Sequence, residues 1–329
     1  MATEEGLYLG VDLGGTNIEA AAVMKGNVLE SKKTSTQAAK GAEVVIGRIE
    51  KLIRKVLDKL ERPSSEVRAL CIGAPGAVNL KTGMVNEAPN LDWINVPLGA
   101  ELEARLEIPV FVDNDVNVGT AGEHAFGAGQ GARHMVGIFV GTGIGGGVIL
   151  NNQLHYGGRG AAGEIGHMVI VPDGRICGCG KKGCVEAYAS KTAVAAAIQE
   201  QISQGRDSYL KKTLKKSKGK PLSSSLIEKA LIAGDPVTTE VIQQAQYHLG
   251  LLTANLVNAF DPEVIVFGGG LVEQLGDDFL KPIRRTAKIH YLQQKHADRI
   301  RIVPAALGDH AGTIGAAVVA QRRLESDQS

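Results

Sequence analysis

The sequence predicts an α/β fold, and three observations carry the prediction. Short apolar runs that read as strands alternate along the chain with amphipathic stretches that read as helices. Two strand segments, LYLGVDL-GGTN-IEAAAVM near the start and MVGIFV-GTGIGG-GVIL near the middle, share a strand–glycine loop–strand layout. This low-grade internal repeat points to two similar domains. The chain has 329 residues, about two domains' worth, and 44% hydrophobic composition supplies two cores.

Taken in order, an apolar strand starts at Leu7, a second follows GGTN, and after the turn KGN a third begins at Val28. Residues 42–60 form an amphipathic helix, with Val45, Ile49, Leu52, Ile53, Val56 and Leu60 at three- and four-residue spacing and Pro63 beyond its end. VRALCIGAP reads as a buried strand ending in a Pro-Gly turn, with Cys71 in its core. IPVFVDND is a short strand whose polar residues sit at its C-terminal end. The middle meander closes through an Asn-Asn turn. Helices are expected over 185–202 and 236–260, PEVIVFGGG is a strand running into a glycine loop, and RIRIVPA is a further strand. HAGTIGAAVVAQRRL is a closing helix that starts with small residues and is expected to pack back on the first domain.

Bulk properties exclude several classes. No apolar run approaches the ~20 residues of a membrane span, and nothing ahead of Leu7 resembles a signal peptide. A cytoplasmic protein without a membrane partner is expected. The net charge of +1 leaves no footprint for nucleic acid. One basic run, KKTLKKSKGK over 211–220, lacks interleaved aromatics and reads as a solvated loop. The 42 glycines gather in loops at strand ends, where backbone can approach a ligand.

Residues 163–190 carry the densest chemistry. GEIGH and CGCGKKGCVE bring together Glu164, His167, Cys177, Cys179, Cys184 and Glu186. Three thiolates and one imidazole are the donor set of a closed zinc site. Without an export signal the chain belongs in a reducing compartment, and three cysteines cannot all pair in disulfides. Glu164 and Glu186 bracket the set although zinc does not require them, so the loop is expected to present polar groups to a ligand.

Three glycine loops point to phosphate. GTGIGGG contains G-x-G-x-x-G at Gly141, Gly143 and Gly146, but a strand follows where a dinucleotide fingerprint needs a helix. What remains is a phosphate cradle in a hairpin, with backbone N–H groups and the Thr142 hydroxyl as donors. In DLGGTN, Gly14 and Gly15 allow close approach, Thr16 and Asn17 supply donors, and Asp12 offers a hard oxygen for Mg²⁺. A third loop, GGG, ends a strand at Gly268, Gly269 and Gly270. Asp113, Asn114 and Asp115 end another strand, where the chemistry of α/β folds collects, and spacing alone does not choose between the two aspartates.

The set DLGGTN, GAPGAVN, DND, GTGIGGG, GEIGH, CGCGKKGCVE and FGGG closely resembles the ROK family of sugar kinases and related repressors, over residues 7–320. It looks most like the bacterial ATP-dependent glucokinases of that family. The cysteine motif is specific to the family, whereas glycine loops are shared across the actin-like, hexokinase and heat-shock ATPase superfamily. The resemblance implies two ribonuclease H-like α/β domains with an interdomain active-site cleft. The smaller would be 1–115 plus 312–329 and the larger 116–311. It implies ATP with Mg²⁺ as phosphoryl donor and a structural Zn²⁺.

By the same resemblance, Asp115 is the general base for a sugar's primary hydroxyl, and Asn114 holds a neighbouring hydroxyl. Glu164, His167 and Glu186 bind further hydroxyls, and Gly76 and Ala77 line the same pocket. Asp12 acts through Mg²⁺, with Gly14, Gly15, Thr16, Asn17, Gly141, Thr142 and Gly143 around the phosphates, and Gly269 and Gly270 near the nucleoside. Asp113 is left a structural role as a cap or turn partner. The expected reaction is phosphorylation of D-glucose, serving glycolysis. N-acetylmannosamine, fructose and allose are alternative acceptors, and polyphosphate is an alternative donor. Relatives are commonly dimers or tetramers. A sugar-responsive repressor is the reading of a different class, and the six residues before Leu7 are too few for a DNA-reading module.

Overall fold

The computed structural model describes residues 6–216 and 222–327. The first five residues and positions 217–220 of the basic run lie outside the described residues. Along the chain run β1 (Leu7–Leu13), β2 (Asn17–Met24), β3 (Asn27–Ser35), α1 (Ala42–Leu60), β4 (Val67–Ala74), β5 (Ala77–Asn79), β6 (Met84–Ala88), β7 (Trp93–Val96), α2 (Leu98–Leu106), β8 (Val110–Asn114) and α3 (Asp115–Phe126). There follow β9 (Met135–Val140), β10 (Ile144–Leu150), β11 (Gln153–Leu154), α4 (Glu186–Ala189), α5 (Lys191–Ser203), α6 (Lys211–Lys216), α7 (Ser224–Ile232) and α8 (Pro236–Phe260). The chain ends with β12 (Val264–Gly268), α9 (Gly270–His290), β13 (Arg301–Pro304) and α10 (Ala311–Asp327). Among the described residues no helix is long and apolar enough to cross a membrane.

Two compact units emerge: Met1–Gly131, Gly147–Ala162 and Ala306–Ser329 form one, and Ala132–Gly146 with Gly163–Ala305 the other. The first is built on a sheet of order β3-β2-β1-β4-β8, antiparallel through β1, β2 and β3 and parallel through β1, β4 and β8. Side chains alternate across it with the two-residue period of a strand. Leu7, Leu9, Val11 and Leu13 join Leu70, Ile72, Val45, Ile49 and Ile53 on one face, under α1. Tyr8, Ala21, Ala69 and Cys71 join Val118, Ala121, Ala316 and Val319 on the other, under α3 and α10. With both faces covered, β1 and β4 read as near-continuous apolar runs. Cys71 is fully buried, as expected.

The small residues opening α10 have a steric cause. A Cβ on Gly10 would lie 1.8 Å from the Thr313 carbonyl oxygen, and one on Gly315 would lie 1.7 Å from that of Val118. The helix therefore rests directly on β1 and α3. This contact also accounts for a difference from the expected domain limits. Residues 116–131 group with the first unit rather than with 116–311, because α3 continues from β8 and shares its core with α10.

In the second unit β12 pairs in parallel with β9 on one side and β13 on the other. Its core joins Val136, Ile138, Ile265 and Phe267 of the strands to Val194, Ile198, Leu249, Leu252, Phe279 and Ile283 of the helices. Between β10 and β11, within the 147–162 segment of the first unit, Asn151 and Asn152 both take positive φ in the expected turn.

Three expectations are corrected. The helix expected over 185–202 is broken after Ala189, because Ser190 turns to cap α5 by accepting from the Ala193 N–H. Part of the basic run expected as a loop is helical, as α6. The loop ending at Gly270 runs into α9, a helix the sequence reading did not place. Also unplaced were α2, α7 and the three-stranded antiparallel sheet β5-β6-β7.

Gly315→Ala is expected to destabilise the protein by about 3 kcal/mol or more, because the obstacle is backbone rather than a movable side chain. Gly47→Ala in α1, with no atom within 4 Å of the added Cβ, should stabilise it by ~0.5–1 kcal/mol. Urea unfolding of the two variants checks both signs.

Candidate active site

In the first unit the parallel strands bring three motifs to one sheet end. Asp12 of β1 is in register with Gly73 of β4, and Gly73 and Ala74 with Asp113 and Asn114 of β8. The GGTN loop, the Pro-Gly turn and the DND segment therefore meet at the C-terminal edge, where α/β folds bind ligands. The GGTN loop closes through Gly14 N–H to the Asn17 carbonyl, at 2.9 Å. Thr36, fully buried, holds it from behind: its hydroxyl donates to the Gly14 carbonyl at 2.6 Å and its N–H to that of Thr16 at 2.8 Å. Gly15, Thr16 and Asn17 are left exposed.

The two aspartates left open by spacing are separated by their surroundings. Asp113 has no exposed surface and meets four donors. Its Oδ1 accepts from the Asn114 N–H at 2.8 Å and Asn117 Nδ2 at 3.2 Å, and its Oδ2 from the Tyr156 hydroxyl at 2.7 Å and Arg323 Nη2 at 2.9 Å. A carboxylate so engaged is structural. Asp115 is half-buried at the first turn of α3, with Oδ1 2.9 Å from the Val116 N–H. Asn114 is the helix cap, a role expected of Asp113: its Oδ1 accepts from the Val116 and Asn117 N–H groups. Its Nδ2 lies 3.3 Å from the Gly76 carbonyl and is the group able to donate to a ligand. Gly76 takes φ +88°, and a Cβ there would strike the Glu87 carbonyl at 2.1 Å, while Ala77 starts β5 with its side chain exposed.

Burial raises the Asp12 carboxyl to about 6, with the nearby Glu19 charge adding to the effect. A folded value above the ordinary 3.8 means that proton binding favours the fold at low pH, a contribution lost as the pH rises through about 6. A divalent cation on the ionised carboxylate would offset that loss at neutral pH, so the donor chemistry of Asp12 suits Mg²⁺.

In the second unit the remaining motifs converge. Gly268 of β12 is in register with Phe139 of β9, and a Cβ on Gly269 would lie 2.5 Å from the Val140 carbonyl. Gly269 and Gly270 therefore lie beside the 141–143 loop, with Thr142 exposed at its tip. The GEIGH turn packs on the start of β10, where a Cβ on Gly166 would meet the Ile144 carbonyl at 2.0 Å. Glu186 reaches the same strand, its Oε2 accepting from the Ile144 N–H at 2.9 Å.

His167, Cys177, Cys179 and Cys184 offer one donor atom each, all within 4.8 Å of one another. The sulfurs of Cys179 and Cys184 are 3.8 Å apart, and Cys177 Sγ is 3.7 Å from His167 Nδ1. Tetrahedral bonds of ~2.3 Å to sulfur give edges of about 3.8 Å, so the set fits zinc. A tight turn closes the knuckle, with the Cys177 N–H on the Lys181 carbonyl at 2.8 Å and the Gly180 N–H on the Cys177 carbonyl at 2.9 Å. The Lys181 N–H lowers the pKa of the Cys179 thiol, while burial pushes Cys177 up to about 12, a rise that a bound metal would reverse. With Nδ1 toward the thiols, His167 Nε2 faces outward, 3.9 Å from the exposed Glu164 carboxylate. Cys177 Sγ also lies 3.4 Å from Glu186 Oε1, so knuckle and carboxylate are adjacent.

Sequence reasoning missed Thr36, Tyr156 and Arg323. Each acts through bonds to segments distant in sequence, and none stands at a position whose local pattern would single it out.

The ROK family profile matches residues 8–323. A glucokinase of Halalkalibacterium halodurans is 37% identical over 94% of this chain and 93% of its own length. Among solved structures, a ROK family glucokinase from Streptomyces griseus in complex with glucose and AMPPNP has a TM-score of 0.83 and 35% identity, covering 96% of this chain and all of that one (100%). A ROK family transcriptional regulator, a homologue of the E. coli MLC protein, has a TM-score of 0.84 and 28% identity, covering 98% of this chain and 79% of that one. The fold is thus the two-domain actin-like ATPase and hexokinase fold, shared by enzymes and regulators. With the profile spanning nearly its whole length, the chain belongs to the ROK family.

Proposed function

We propose that the protein is an ATP-dependent glucokinase that transfers the terminal phosphoryl group of ATP to the primary 6-hydroxyl of a hexose, D-glucose foremost. The observation that carries the reading is the division of labour in the DND segment. Asp113 is consumed by four donors, and Asp115, the first residue of α3 just beyond the strand end, is the carboxylate placed for chemistry. Glucokinase relatives and a glucose and AMPPNP complex of a neighbour support the same activity. Because regulators share the fold, the reading rests on these residues rather than on architecture.

Phosphoryl transfer needs the acceptor oxygen in line, its proton removed and the charge on the transferred group neutralised. Asp115 accepts the proton of the 6-hydroxyl. Asn114 Nδ2 donates to a neighbouring hydroxyl, since its oxygen is spent on the cap. Glu164 and Glu186 accept from sugar hydroxyls. His167 donates through Nε2, because Nδ1 is turned to the thiols. The pattern of acceptors and one fixed donor reads hydroxyl positions on a ring. Gly15, Thr16, Asn17, Gly141, Thr142 and Gly143 supply donors to phosphate oxygens, Gly269 and Gly270 leave room for the nucleoside, and Asp12 would hold Mg²⁺ directly or through water. Bound zinc would supply rigidity to the knuckle and a fixed histidine tautomer. We place this activity in the cytoplasm, at the entry of glucose into glycolysis, in a homo-oligomer. The three glycine loops favour ATP over polyphosphate.

Asp115→Ala is expected to lower kcat by ~10²–10⁴-fold, the usual share of a positioned base, while calorimetry shows glucose still bound. Near-normal turnover would remove Asp115 from that role. Metal analysis should find one zinc per chain, and Cys179→Ser should lose both the zinc and glucose affinity. Unchanged zinc content in that variant would contradict the ligand set.

A further inference from the structure

The 141–143 loop is held by one short segment of chain. The Lys191 N–H donates to the Gly141 carbonyl at 2.9 Å, and the Thr192 hydroxyl donates to the Thr142 carbonyl at 2.7 Å. The Ile144 N–H donates to Glu186 Oε2 at 2.9 Å. A Cβ on Gly143 would lie 2.4 Å from that same Oε2 and would push the Glu186 carboxylate aside. Residues 186–192 thus grip the loop at each end and at its tip. The segment is itself rigid: Ser190 caps α5, and the Lys191 and Thr192 groups that reach the loop sit in its first turn.

Resting on the reading of 141–143 as a nucleotide phosphate loop, we propose that Thr192 is a positioning residue for that loop, and that Glu186 serves sugar with one oxygen and the loop with the other. The carbonyl of Thr142 has a fixed partner, so the peptide plane that aims the next N–H toward a phosphate is fixed as well. Glu186 carries the same constraint to the following peptide. A sugar hydroxyl that draws Glu186 toward itself therefore acts on the loop through the Ile144 N–H, and a disturbed loop acts on the sugar through the same bond. Within this unit, sugar and nucleotide affinities are interdependent without a change of fold.

The test compares Thr192→Val, which keeps the shape and removes the donor, with Thr192→Ser, which restores it. Thr192 is exposed, and a melting curve checks that both variants are folded. Thr192→Val should raise the KM for ATP and the Kd for a non-hydrolysable ATP analogue by about ten-fold, the worth of one hydrogen bond, and raise the glucose KM in the same direction by a smaller factor through Glu186. Thr192→Ser should restore all three. Gly143→Ala, though in the nucleotide loop, should raise the glucose KM as well, by displacing Glu186. Wild-type ATP affinity in Thr192→Val, or equal loss in Thr192→Ser, overturns the role of Thr192. A Thr142→Ala control separates the causes. If it raises the ATP KM while Thr192→Val does not, the positioning role alone is wrong. If neither variant changes ATP affinity, the phosphate-loop reading falls with it.

Discussion

A carboxylate with no exposed surface must find its donors inside the protein, and Asp113 finds four. That requirement organises the first unit. Two of the donors, the Asn114 N–H and Asn117 Nδ2, belong to the first turn of the helix that carries Asp115. The others come from Tyr156 and from Arg323 near the chain's end, whose Nη1 also donates to the Leu80 carbonyl at 3.1 Å. Removing one member of such a buried pair costs ~3–5 kcal/mol, because the remaining charge is left unmet. The closing helix is therefore part of the support beneath the proposed base, and the glycines that let it rest on β1 and α3 serve the same end.

The second unit uses the same device once more. Glu186 is a half-buried acid with one oxygen committed to a backbone N–H, beside a knuckle whose four donors fit a metal. In the proposed role of Glu186 as a sugar ligand, this bond would set its orientation before the sugar arrives. The same commitment ties it to the neighbouring glycine loop. Asp113 and Asp115, two residues apart and of one residue type, are told apart by burial: the first is fully buried and the second half-buried.

Much of this was legible in the sequence. Strands buried on both faces announce themselves as apolar runs, α1 by its periodicity, and the knuckle by three cysteines and a histidine gathered in one short stretch. The Asn-Asn and Lys-Gly turns were readable because positive φ leaves few residue choices. Other features left no local trace. The helical pattern of α9 is interrupted by its glycine start, the kink at Gly276 and a proline, Pro282, inside it. Ser190 looked like one more residue of a helix until its side chain was seen to cap the next. Thr36, Arg323 and Thr192 act through bonds between segments far apart in sequence, and such bonds have no periodicity to detect. The choice between Asp113 and Asp115 likewise needed burial, which spacing does not supply.

Family membership fixes the fold, while the activity is a claim about named side chains. The most direct measurement is ADP release by the purified protein with glucose, mannose, fructose, N-acetylglucosamine and N-acetylmannosamine offered in turn. The account predicts ATP consumption with the highest kcat/KM for glucose and glucose 6-phosphate as product. Protein that is folded and zinc-loaded, yet consumes no ATP with any of these sugars, would contradict it.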